Sequence, residues 1–170
     1  MRKNSPLVGL LVALATMAVV PQQTLAQATS TPEERTHWIE LAHKLESNPL
    51  DKSLNKDAEV ALKRLIEVTD VHITVCSPVF VNVTESNYKY KNEVTRQYTL
   101  GSAAFVLESP SKASDANAVN FAAVQSVLKF YGAILQQKPN AKSPKLDDLL
   151  TLQSQGKLED MVSSKCAASK

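Results

Sequence analysis

The chain has 170 residues, 44% hydrophobic, 21% charged and 5% aromatic, with 19 basic side chains against 17 acidic ones. That is enough apolar sequence for one domain with a real core. The charge balance is too even for an electrostatic footprint on nucleic acid, and no run of five like charges marks a polybasic or polyacidic tail.

Arg2 and Lys3 precede an uncharged, mostly apolar stretch from Pro6 to Val20, the length of a secretory h-region and short for a bilayer span. Pro21 breaks it, and Ala26-Gln27-Ala28 is an A-x-A cleavage site with Thr24-Leu25-Ala26 as its rival. The expectation is a cleavable signal peptide over 1–28 and a single helical domain over 29–170, exported to a periplasm or outside the cell. No stable membrane span is expected after cleavage. No cysteine lies near the cleavage point, so a lipid anchor is not expected either. Two of the 19 basic residues, Arg2 and Lys3, sit in the leader and all 17 acidic ones follow it, leaving the mature chain formally neutral.

Helix signals then follow in order. Thr31, Pro32 and Glu34 form a capping box with proline at the first helical position, ahead of Trp38, Leu41 and Leu45 at helical spacing. Leu54, Ala58, Ala61, Leu62, Leu65 and Ile66 make the stripe of a second helix. A further helix runs from near Asn92 to before Pro110. The longest carries Phe121, Val124, Leu128, Tyr131 and Leu135 on one face. Ser143-Pro144 opens another, Gly156 ends it, and Leu158, Met161 and Val162 point inward from a short last helix. The fold class is mainly α, a single compact bundle of five or six helices with short loops and antiparallel neighbours. One stretch breaks the pattern: Val71 to Val83 alternates β-branched residues about Ser77-Pro78. It reads as a small β-hairpin near 71–83, or as a helix running on through Val75.

Leu100-Gly101 with Ala104, Tyr131 and Pro139 resembles the helix pair of a tetratricopeptide repeat. Their span of 39 residues exceeds a repeat of about 34, and no second copy follows. Lys138-Pro139 with the late Cys166 resembles small exported helical immunity proteins that guard against cell-wall hydrolases. That likeness implies a secreted immunity or inhibitor role. The early cysteine expected in the helix holding "YTLGSAAF" is absent.

Cys76 and Cys166 are the only cysteines, and in an exported chain an even pair reads as a disulfide. It would close a loop of about 90 residues, worth roughly 4–5 kcal/mol by chain entropy. His37, Glu40 and His43 are weak metal candidates, because true zincin spacing puts two histidines four apart. They read as the wet face of the first helix. His72 reads as a hydrogen-bonded core residue. No G-x-S-x-G elbow or phosphate-cradling glycine cluster is present; Ser102 lies inside a helical pattern, and Gly101 and Gly132 read as packing glycines. Tyr88, Lys89, Tyr90 and Lys91 interleave rings with cations; they read first as a loop whose rings cover the core edge with lysine heads in water, and alternatively as a candidate interaction surface. Asn82-Val83-Thr84 matches a glycosylation sequon.

The expectation is therefore an exported helical protein without a cofactor, more a non-catalytic binder of a protein or cell-envelope component than an enzyme. The alternatives are an immunity or inhibitor role, or a metal-binding protein or enzyme using the His37/Glu40/His43 arc.

Overall fold

A computed structural model describes residues 28–84 and 87–167. The expected leader lies outside them except for Ala28. Seven α-helices and one short 3-10 turn, with no strand, make up the regular structure of the described residues.

Helix α1 (Pro32–Ser47) begins at the capping box: Thr31 N–H donates to the Glu34 carboxylate at 2.8 Å and Glu34 N–H to the Thr31 hydroxyl at 3.2 Å. It buries Trp38, Leu41, Ala42 and Leu45. Helix α2 (Lys52–Glu67) is capped by the Asp51 side chain and buries Ala58, Ala61 and Leu65. Ile66, expected on that stripe, is 84% exposed. The buried side of α2 is Ala58, Ala61 and Leu65, with Leu54 and Leu62 half-buried against the core beside them.

The centre of the fold is the pair α4 (Lys91–Glu108) and α5 (Ala116–Gln137), with α1 laid across both. The connection from Ser109 to Asp115 reaches about 24 Å at most, less than the roughly 27 Å length of α4, so α5 returns antiparallel. Gly101 brings them together: a Cβ built there would lie 2.7 Å from both Cβ and Oγ of Ser126. Gly132, expected to serve the same purpose, has open space around it, and an added Cβ would meet nothing within 4 Å. Helix α5 is long and apolar enough to cross a membrane by length and composition. More than half of its apolar window is buried inside the fold.

Helices α6 (Pro144–Ser154) and α7 (Leu158–Ala167) close one side, with Gly156 at φ 69° in the turn between them. The β-hairpin is not there. Helix α3 (Ser77–Val83) occupies its second arm, with proline in its first turn and Val79 and Val83 inward, and it adds a seventh helix to the expected five or six. Pro78, read as a turn residue, instead starts a helix. Nor does a helix run through Val75: residues 71–76 form neither helix nor ladder.

Candidate functional site

From Val71 to Thr74 the segment alternates, with Val71 buried, His72 exposed, Ile73 half-buried and Thr74 exposed; the alternation stops at Val75, which is exposed, ahead of buried Cys76. A period of two is that of extended backbone. Two devices hold it. Cys76 and Cys166 are at disulfide distance, their Cα atoms 5.5 Å apart, which fastens α7 to the start of α3. The second is Asn120, fully buried on α5. Its carbonyl oxygen accepts the Cys76 N–H at 2.8 Å, and its amide nitrogen donates to the Thr74 carbonyl at 2.8 Å and to the Ala116 carbonyl at 2.6 Å. One side-chain amide thus supplies a donor and an acceptor either side of Val75, as a residue of a neighbouring strand would. The Tyr98 hydroxyl also donates to Asn120, and burial pushes that phenol well above its ordinary range.

The opposite edge is bare. Among the described residues, no backbone N–H or C=O of Val71, Ile73 or Val75 has a hydrogen-bond partner within the protein. Side chains of Asp70, His72 and Thr74 face Val106, Ala113 and Ser114 across a groove of about 370 Å³. At its start the Asp70 carboxylate accepts from Ser30 N–H at 2.9 Å and from Arg35 at 2.5 Å. The Ser30 amide, then Arg35, lowers its pKa to about 2.

The sequence-derived candidates scatter. His37 meets Asp57 at 3.1 Å, Glu40 meets Lys44 at 2.9 Å and His43 meets Glu108 at 2.9 Å. No group of three His, Cys, Asp or Glu side chains among the described residues is placed to share a metal ion. The Lys44 ammonium holds the Glu40 carboxyl below its ordinary value. Tyr88, counted toward an interaction surface, is buried: its hydroxyl donates to the Ala141 carbonyl at 3.1 Å and its ring packs edge-on to Tyr131. Tyr90 is half-buried, with Lys89 Nζ 5.5 Å from its ring centre, and Lys89 and Lys91 are exposed. His72, expected in the core, is exposed on the groove. Ser102 is buried and donates to the Tyr98 carbonyl at 2.9 Å, an ordinary helix back-bond.

A second polar cluster lies where α1, α4 and α5 meet. Buried Gln97 donates to the Ala42 carbonyl at 3.0 Å and to Ser126 Oγ at 2.7 Å. Ser126 donates to Glu46 at 2.7 Å, and Lys129 to the other Glu46 oxygen at 3.1 Å. A small crevice of about 130 Å³ lies beside them, floored by Ala42, Gly101 and Ala104. Asn120 and Gln97 escaped the sequence reading. Their one signal was a polar residue on an otherwise apolar helix face.

Comparison of the chain with protein-family models, curated proteins and solved structures finds no match.

Proposed function

We propose that this chain is an exported, non-catalytic helical protein that works by contact, taking an extended segment of a partner protein along the Val71–Val75 edge. The observation that carries the reading is the row of backbone donors and acceptors without partners on a segment pinned from its other side. Unpaired extended backbone is complementary to another extended backbone. A groove receiving alternate side chains adds selectivity. Val75, 44% exposed, adds apolar surface at the C-terminal end of the contact. A cysteine pair at bonding distance fits an oxidising compartment, which supports export.

Extended ten-residue peptides, screened by the amide NMR shifts of Ile73 and Val75, test the proposal. Val75→Pro removes a donor from the free edge, whereas Val75→Thr keeps it. Binding lost in the first and kept in the second supports strand addition, and Ile73→Pro repeats the test should Val75→Pro fail to fold. Binding that ignores both prolines, peptides that shift only other residues, or a dimer joined through this segment contradicts it.

The leader expected over 1–28 has its rival cleavage point after Ala26, and two backbone contacts distinguish the resulting starts. The Ala28 carbonyl accepts the Thr69 N–H at 3.0 Å, and the Thr29 carbonyl accepts from Arg64 at 3.1 Å. A chain beginning at Thr29 loses the first contact, whereas one beginning at Gln27 keeps both. The intact mass of the exported protein decides between the two starts.

A further inference from the structure

The His43 ring stands between two carboxylates. Its Nε2 is 2.9 Å from Glu108 at the last turn of α4, and its Nδ1 is 3.5 Å from Glu46 on its own helix. Only the imidazolium can donate from both nitrogens; a neutral ring turns a lone pair toward one carboxylate. The charged groups about it are Glu46 from α1, Glu108 from α4 and, through Glu46, Lys129 from α5. From α2, Asp57 is engaged by His37 instead. With His43 protonated, two cations balance two anions. With His43 neutral, the cluster carries one uncompensated negative charge.

We propose that His43 is a proton-operated clip between the C-terminal turns of α1 and α4, beside the crevice floored by Gly101. It is tight when the imidazole carries both ring protons and loose when one is lost. Glu46 keeps Ser126 and Lys129 in either state, and a neutral ring, left with one N–H and no charge, holds Glu108 more weakly across the two helices. The hydrogen bond to Glu108, helped by Glu46, raises the His43 pKa against the opposing effect of burial. The clip is therefore fully closed below the free imidazole value and opens as pH rises through the raised one. An exported chain meets external pH directly, and this junction would register it.

The experiment is a titration of the ring C–H signals by NMR, run on the whole mature protein, together with hydrogen exchange of the terminal amides Asn48 and Ser109. The expected midpoint for His43 lies above that of a free imidazole, about 6.5, and falls in Glu108→Gln. After correction for intrinsic rates, exchange at Asn48 and Ser109 should quicken about two- to threefold through that midpoint in the native chain. In His43→Gln it should stay flat with pH. A midpoint at or below the free value, no shift in Glu108→Gln, or the same exchange profile in His43→Gln overturns the proposal.

Discussion

Asn120 on α5 accepts the backbone N–H of Cys76 at 2.8 Å, so the residue that carries the disulfide is also tied to the central helix by one buried amide. The same amide takes the Thr74 carbonyl and the Tyr98 hydroxyl. Replacing it with an apolar side chain strands the buried Cys76 N–H and Tyr98 hydroxyl and releases the part-buried Thr74 carbonyl. Asn120→Leu should therefore lower unfolding stability in urea by about 3 kcal/mol or more. Tyr98→Phe removes a single bond and leaves Asn120 still accepting from Cys76, so its loss should be about 1 kcal/mol. A smaller loss for Asn120→Leu than for Tyr98→Phe would show that the amide does not hold the segment.

The two glycines inside the central helices separate by environment. Gly101→Ala drives a methyl to within 2.7 Å of Ser126, whose hydroxyl is committed to Glu46, and should destabilise by about 1–3 kcal/mol in spite of alanine's better helix propensity. At Gly132 the added methyl meets nothing within 4 Å, so Gly132→Ala should stabilise by up to about 1 kcal/mol. Thermal unfolding of the two variants measures both signs.

Asp70 gives the fold an acid limit. Its pKa is lowered to about 2, first by the Ser30 amide and then by Arg35. The stability it contributes is present above the unfolded carboxylate value, about 3.9, and is lost as pH falls toward 2. Carboxyl titration by NMR should find the Asp70 midpoint near that value, rising in Arg35→Gln, and loosening of the Ala28–Ser30 strap should follow the same curve.

Much of the helical framework was legible because its signals are local. Thr31, Pro32 and Glu34 announce α1 within four residues, and Ser143 with Pro144 does the same for α6. The cysteine pair was legible from number: the sequence has two, and they stand at disulfide distance. The Val71–Val83 stretch was misread because local β propensity is real there, yet what shapes it comes from 44 residues away, at Asn120, and 90 residues away, at Cys166. The histidines were placed on the wet face of α1, as found, but their partners Asp57 and Glu108 lie 20 and 65 residues on. No spacing rule reaches that far. Tyr88 lies as the reading with rings on the core edge has it, buried, with Lys89 and Lys91 in water.

The most direct test of a pinned but unpaired segment is amide hydrogen exchange across Val71–Cys76 in the isolated, oxidised protein. Ile73 and Val75 should exchange within about tenfold of free-chain rates, while Cys76, held by Asn120, is slowed by orders of magnitude. Protection of Ile73 and Val75 equal to that of Cys76 would mean the edge is already occupied, and the contact account would fall.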